Sequence, residues 1–386
     1  MAKCKKAVKF VLRLCLLRIF WPALYRLGCL RRVNPRLVLF ASESWPEPTD
    51  NFRPLIRRLT EEGYDCRFYG NHGEPKLLRY LRSVRFFRDY ARARALFIDE
   101  AYSPSLACPP RRGTDLVQLW HGGGACKKTG YSTIDLDWGP SRRELKWMPM
   151  HRHYTHVCVT APEIIPFYAE AFRCPPENVR PWGMPRTDVY HDPAFVRKGR
   201  EEVLAAFPEI GERKIVLYAP TFRGNSVPEA RHDAALDIPL LAEELGEDCA
   251  LLLRPHPKVN VSLGGNAGRA FAFDCRGLRI DTLLCAADLL IADYSSLMCE
   301  YALLQRPMLF YAYDLEDYDA SRSFYYPYKT YVPGEVVTEP EEIADAVRRN
   351  LGGGFDAERV ARFRQRFVSA CDGKCTERIA ERVLGR

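Results

Sequence analysis

Four short stretches carry the side chains that could do chemistry in this chain. The first is Gln118-Leu-Trp-His-Gly-Gly-Gly-Ala-Cys-Lys-Lys-Thr-Gly-Tyr131. An apolar run delivers His121 to what should be the carboxyl end of a strand, where α/β proteins place their sites. Imidazole is the side chain best matched to proton transfer near neutral pH. The glycines that follow would let the backbone approach a ligand closely, and Lys127 and Lys128 supply cations. The competing reading is a structural histidine beside a glycine turn. No Gly-Lys-Ser/Thr and no G-x-G-x-x-G occurs here, so this is neither a Walker A loop nor a dinucleotide fingerprint.

The other three stretches lie in the second half. Residues 288–292 read as a short apolar strand with Asp293 at its end, and Ser295 and Ser296 open a helical pattern through Leu303. Hydroxyls at a helix start cap backbone N–H groups, and that end carries partial positive charge, which suits a phosphate or diphosphate. Ser296 and Glu300 share one helix face and could grip one ligand together. Tyr218-Ala-Pro-Thr-Phe-Arg-Gly224 follows another strand, and Thr221 and the planar fork of Arg223 could meet phosphate oxygens. In Arg254-Pro-His-Pro257 the prolines stiffen the backbone and fix where Arg254 and His256 point. Each stretch alone could be a surface turn. Their shared place at the carboxyl ends of strands in one half describes a diphosphate pocket.

Alternating strand and helix patterns must position these groups. Strands are expected at 36–41, 65–69, 95–98, 116–120 and 156–160, with helices at 50–62, 76–92 and 162–172. After a polar break at 208–213 the pattern restarts, with strands at 214–219, 249–253, 288–292 and 307–311 and helices at 238–245 and 281–287. This is parallel α/β construction. The expected domains are 34–205 and 206–350, both Rossmann-like, with helices over 351–386.

Other candidates are poorer. His151-Arg-His-Tyr-Thr-His156 offers imidazoles without an acidic or Cys partner, and a basic strand edge is preferred to a metal site. Asp314, Glu316, Asp317 and Asp319 lack the glycine and bidentate glutamate of a calcium loop and read as a solvated acidic turn. No metal and no cofactor is expected. The 14 cysteines include no Cys-x-x-Cys pair, so reduced thiols, several in apolar runs, are expected. Lys and Arg total 57 against 49 Asp and Glu, a net charge of +8, which favours anionic partners but is too scattered for duplex nucleic acid.

Residues 1–33 are a distinct segment. Lys3, Lys5, Lys6, Lys9, Arg13 and Arg18 interleave with apolar residues, and the two arginines make the apolar run too short to span a bilayer. A basic amphipathic helix lying on an anionic membrane fits, with Trp21 and Tyr25 as interfacial aromatics. A helix packed on the protein's own core is the alternative.

Taken together, residues 118–130, 218–223, 254–257 and 281–318 resemble, in that order, the CDP-glycerol glycerophosphotransferase family of teichoic acid synthesis. The most specific block is Asp293-Tyr-Ser-Ser followed by Arg306-Pro and Tyr313-Asp-Leu-Glu-Asp-Tyr318. The length resembles the short, primase-like members. The resemblance implies a GT-B-like fold, two Rossmann-like domains facing a central cleft. It implies transfer of glycerol phosphate from CDP-glycerol to a hydroxyl of a lipid-linked glycan, with release of CMP, at the cytoplasmic face of the cell membrane. His121 would be the general base. Arg254, His256, Ser295 and Ser296 would hold the diphosphate, and Glu300 would meet the ribose. Gly-Gly-Gly after His121 departs from many members, which bears on the acceptor. The alternatives are ribitol phosphate transfer from CDP-ribitol, a GT-B glycosyltransferase using a nucleotide sugar, and a non-catalytic polymer-binding protein.

Overall fold

The computed structural model describes residues 11–385 apart from 13, 72, 74, 75, 135, 137, 148, 222, 224–235 and 256–270, with 76–80 and 144 described by backbone only. The chain forms two compact units. The first comprises the chain up to His121, Lys128–Asp188 and the stretch from Ala370 onward. The second comprises Gly122–Lys127 and Val189–Ser369.

The first unit is built on a six-stranded sheet of β1 (Asn34–Ala41), β2 (Asp65–Tyr69), β3 (Ala93–Ile98), β4 (Asp115–Gln118), β5 (His156–Cys158) and β6 (Val179–Arg180). All pairings are parallel, in the order β2-β1-β3-β4-β5-β6. A parallel sheet is covered on both faces, which is why β1 and β3 read as apolar runs without alternation. The helix Phe52–Glu61 sets Phe52, Leu55 and Leu59 at helical spacing against Val38, Phe40 and Phe97. Ile379 and Val383, from the last helix Cys375–Leu384, complete the same cluster. The chain therefore returns to close the first unit's core.

The second unit repeats the design with β7 (Lys214–Tyr218), β8 (Cys249–Leu253), β9 (Ala272–Asp274), β10 (Leu289–Ala292), β11 (Met308–Tyr311) and β12 (Glu335–Val337). Its parallel order is β12-β11-β10-β7-β8-β9. Every residue of β8 and β10 is buried. The helices Ile238–Leu245 and Ile343–Arg349 contribute Leu241, Leu245, Ile343 and Val347 to this core.

Strand order locates the functional edges. In the first unit the winding reverses between β1 and β3, and in the second between β7 and β10. At such a reversal the two flanking loops diverge to opposite faces and leave room for a ligand at the strands' carboxyl ends.

The expected strands and helices are present, with shifted ends. The strand expected to reach Trp120 stops at Gln118, and the short β6, β9 and β12 carry too few residues to show a pattern. Asp50 does not cap the following helix: Asn51 occupies that position, without a side-chain cap. The polar break at 208–213 lies inside the second unit, because the helix Pro193–Ala206 packs there against the helix Ile280–Ala286.

At the amino end, a wide turn at Leu16–Phe20 leads into a helix over Trp21–Gly28. Trp21 and Tyr25 are not interfacial. Trp21 lies 5.5 Å from the Phe87 ring and Tyr25 5.0 Å from the Tyr90 ring, and the Tyr25 hydroxyl accepts from the Arg111 N–H at 2.9 Å. A helix packed on its own domain is the reading the structure supports for these residues. The opposite face leaves Ile19, Phe20, Leu27 and Leu30 exposed. Lys3, Lys5, Lys6, Lys9 and Arg13 lie outside the described residues. Among the described residues no helix is long and apolar enough to cross a membrane.

The helix pair of the second unit gives a test of packing. A Cβ at Gly199 would lie 2.6 Å from the Cys285 Cβ and 3.1 Å from the Thr282 carbonyl oxygen. Gly199→Val should therefore cost about 1–3 kcal/mol through overpacking. The readout is the urea midpoint, and an unchanged midpoint would contradict the close helix approach.

Candidate active site

His121 is presented by a strained turn. After β4 the Leu119 N–H still bonds the Ile98 carbonyl at 2.7 Å, but Trp120 then adopts φ 57°, the left-handed region that a bulky residue enters only under constraint. The constraints are visible. The Trp120 N–H donates to Gln118 Oε1 at 2.9 Å, and Asn51 Nδ2 donates to the Trp120 carbonyl at 2.7 Å. The indole ring packs against Phe172 at 5.0 Å and His151 at 5.8 Å. This turn is why the strand ends early, and it leaves His121 exposed. Nδ1 of His121 lies 3.0 Å from the backbone carbonyl oxygen of Asp99. A carbonyl only accepts, so Nδ1 carries the proton and the basic lone pair of the neutral ring is on Nε2.

Beside it, at the β1/β3 reversal, stand two carboxyl groups that sequence reasoning passed over. Asp99 is 3% exposed; Oδ2 accepts from Thr49 Oγ1 at 2.5 Å, while Oδ1 is buried without a hydrogen-bond partner. Burial raises its pKa to about 7, helped by the charge of Glu100 and opposed by the Thr49 hydrogen bond and the more distant Arg186. Glu100 goes the other way. Burial opposes its charge, but Ser42 Oγ at 2.6 Å, Ser44 Oγ at 2.6 Å and the Ser44 N–H at 2.7 Å hold it below the usual carboxylate range. The signal was available: Asp99 and Glu100 directly follow a strand, the same criterion that selected His121.

Directly after His121 the chain enters the second unit for residues 122–127. Gly124 has φ +64°, and a Cβ there would lie 2.5 Å from the Tyr331 hydroxyl and 2.9 Å from Cys299 Sγ. Its glycine thus serves approach to the protein itself. Lys127 forms a bridge with Phe324 and donates through Nζ to the Tyr318 hydroxyl at 3.2 Å. Lys128 is half-buried and belongs to the first unit.

In the second unit, the loops after β7, β10 and β11 are tied by one buried ion cluster. Asp293 accepts from the Thr221 N–H at 2.9 Å, Thr221 Oγ1 at 3.0 Å, Arg223 Nη1 at 3.0 Å and the Tyr294 N–H at 2.6 Å. Arg223 turns its remaining edge to Asp314, with Nε–Oδ2 2.6 Å and Nη2–Oδ1 2.9 Å. Three rings surround the guanidinium, Tyr318 at 5.0 Å, Tyr294 at 5.2 Å and Tyr313 at 5.3 Å. Burial would favour the neutral arginine, but the Asp314 hydrogen bond and the Asp293 charge outweigh it and raise the pKa further. The structure thus brings Thr221, Arg223 and Asp293 together, onto one another. Asp314 is no part of a solvated acidic turn; Glu316 and Asp317 are exposed as expected.

Arg254 is different. It is half-buried, at the end of β8 beside β7, and its Nη1 donates to the Arg276 carbonyl at 2.7 Å. Desolvation lowers its pKa, opposed by the nearby Cys275 and Asp274, and among the described residues no carboxylate bonds the guanidinium. A guanidinium in this state gains from an anion. His256 lies outside the described residues. Ser295 and Ser296 are half-buried at the start of a five-residue helix, Leu297–Tyr301. Ser295 Oγ accepts from the Leu297 N–H at 3.2 Å, whereas Ser296 makes no side-chain cap. One turn of helix provides little macrodipole, so the anion attraction expected from it shrinks to hydroxyls and backbone N–H groups. Glu300 is 3% exposed and accepts from the Tyr190 hydroxyl at 3.2 Å.

The imidazoles at 151–156 take separate surroundings. His151 stacks on Phe172 at 4.1 Å, with Nδ1 2.8 Å from the Tyr154 hydroxyl, and burial lowers its pKa to about 3. His156 contacts Asp115 at 3.4 Å. Among the described residues no group of three or more His, Cys, Asp or Glu could hold a metal ion.

Two doubly wound α/β units with polar and cationic side chains after the carboxyl ends of their strands make this an α/β protein with a ligand site of the kind such sheets carry. The chain belongs to the CDP-glycerol:poly(glycerophosphate) glycerophosphotransferase family, whose model matches residues 23–385. It is 33% identical over 372 residues to the teichoic acid ribitol-phosphate primase of Bacillus spizizenii, with 94% of each chain covered. It is 26% identical to the teichoic acid glycerol-phosphate transferase of Staphylococcus aureus, over 91% of this chain and 93% of that one. The wall teichoic acid polymerase TagF shares the fold at TM-score 0.76 and 21% identity, over 99% of this chain and 97% of the solved one.

Two outcomes test the site's electrostatics. Arg223→Met leaves Asp293 and Asp314 without their cation and should cost about 3–5 kcal/mol; equal urea midpoints would contradict this. For Asp99 the folded pKa is raised, so its stabilising contribution is present at low pH and lost as pH rises from the ordinary carboxylate range through about 7. Asn cannot ionise. The stability of Asp99→Asn relative to the parent should therefore rise across that window and level off above it, and a pH-independent difference would contradict the buried acid.

Proposed function

We propose that the chain transfers a polyol phosphate from a CDP-polyol to a hydroxyl of a lipid-linked glycan, releasing CMP, in the synthesis of a teichoic-acid-like polymer. The observation that carries this reading is the tethered His121, whose Nδ1–H is fixed on the Asp99 carbonyl so that Nε2 is the base. Nε2 takes the acceptor hydroxyl's proton as the acceptor oxygen bonds the polyol-bearing phosphorus. The bond from that phosphorus to the bridging oxygen breaks, and the electron pair leaves with CMP. Such transfer needs positioning and charge neutralisation more than covalent help.

In this reading Arg254, with Ser295 and Ser296, neutralises and orients the diphosphate; His256 would join them. Thr221, Arg223 and Asp293 form the frame that holds the serine loop rather than direct phosphate ligands. Glu300, one turn from Ser296, takes a ribose hydroxyl. Lys127 supports the loop after His121, and Lys128 adds positive charge on the acceptor side.

Ribitol is the better supported polyol. The relative named for ribitol phosphate is 33% identical, the one named for glycerol phosphate 26%. The 94% coverage of a primase supports a single early addition. The exposed Ile19, Phe20, Leu27 and Leu30, beside the basic residues that precede them in sequence, support peripheral attachment to the cytoplasmic face of an anionic membrane.

The test is CMP release with CDP-ribitol, CDP-glycerol or UDP-sugars and a lipid-linked disaccharide. CDP-ribitol should give the fastest release, and His121→Ala should lower it by about 10²–10⁴-fold while calorimetry still shows donor binding. Release of a nucleoside diphosphate from a sugar donor would instead establish a glycosyltransferase.

A further inference from the structure

A second feature of the first unit is a groove of about 650 Å³ between the amino-terminal helical segment and residues 101–109 and 140–153. Its chemistry is divided. Leu17, Pro22, Leu106, Leu145 and Trp147 supply apolar wall, and Trp147 is 45% exposed. Arg18, Arg26 and Arg152 also line it, all exposed. None of the three makes an ion pair among the described residues, and no carboxylate among them lines the groove. Some other arginines of this unit are paired, Arg67 with Asp65 and Asp89 and Arg94 with Asp115. Three unpaired cations around an apolar channel complement a molecule with a phosphate at one end and a hydrocarbon chain at the other.

The groove also has backbone strain and a direction. His153, on its wall, has φ 67°, a left-handed conformation uncommon for a residue with a side chain. His151, on the inner wall, packs at 5.8 Å against Trp120, the residue before His121. The groove therefore ends one ring away from the turn that presents the base.

We propose that this groove binds a single phosphate-bearing lipid, its chain along Leu17, Leu145 and Trp147 and its phosphate against Arg18, Arg26 and Arg152. That this lipid is the anchor of the acceptor glycan rests on the function proposed above; that the groove binds it does not. Apolar contacts seat the chain, and the guanidinium forks select a phosphate over a neutral head group.

Calorimetry with dodecyl phosphate below its micelle concentration, inorganic phosphate and uncharged dodecyl maltoside tests this on the full chain. Dodecyl phosphate should bind roughly tenfold or more tighter than either control, the scale of one charge-assisted hydrogen bond or a few buried methylenes. Arg18→Ala/Arg152→Ala should remove that preference, and Trp147→Ala should weaken binding several-fold. CDP-polyol turnover with a soluble acceptor should be unchanged in both, which shows that the variants fold. Equal affinity for inorganic phosphate or for the maltoside, or undiminished binding by the double variant, would overturn the proposal. If CMP release fails with every acceptor while the lipid phosphate binds through these arginines, the phosphotransfer reading falls and the groove assignment stands.

Discussion

The loops at the carboxyl edge of the second sheet depend on a carboxylate that has almost no water. Asp293 is 2% exposed, and an isolated charge there would cost several kcal/mol. It is tolerable only because Thr221, Arg223 and the backbone of Tyr294 all point at it. Those donors come from the loops after two strands that flank the winding reversal, so satisfying one charge fixes both loops. Arg223 extends the demand to Asp314 and hence to the loop after β11. Serine hydroxyls on the β10 loop then inherit a position set by buried ions rather than by their own bonds. The cost of this device is that Arg223 and Asp293 are occupied, and Arg254 is left as the described arginine suited to an incoming anion.

The first unit solves the same problem by other means. His121 is held by a left-handed tryptophan, an asparagine on that tryptophan's carbonyl, and an aromatic cluster behind it. Asp99 meets the imidazole through its backbone carbonyl. Its side chain, with a pKa near 7, titrates close to the working range of a histidine base. Glu100, half-buried but hydrogen-bonded by Ser42 and Ser44, keeps its charge and anchors the β1 loop.

Much of this was legible in the sequence because parallel strands advertise themselves. Buried on both faces, they read as unbroken apolar runs, and the residue after each run is a site candidate. That logic selects His121, Thr221, Arg254 and Asp293 as candidates. It could not distinguish a group that meets a ligand from one that meets a neighbour, because the partner of Arg223, Asp314, is 91 residues away. Acidic neighbours made Asp314 look like solvated surface. Asp99 and Glu100 were missed for want of a motif. Trp21 and Tyr25 were misread because an aromatic on an amphipathic helix suits a membrane and a core equally well, and only the Phe87 and Tyr90 rings decide between them.

The central claim is attack by an acceptor oxygen on phosphorus. An acceptor carrying ¹⁸O in its reactive hydroxyl, incubated with a CDP-polyol and followed by ³¹P NMR, tests it directly. The account requires the isotope shift on a new phosphodiester resonance, with CMP appearing in equal amount. Release of CDP, with no labelled phosphorus in the product, would place the attack on carbon and contradict it.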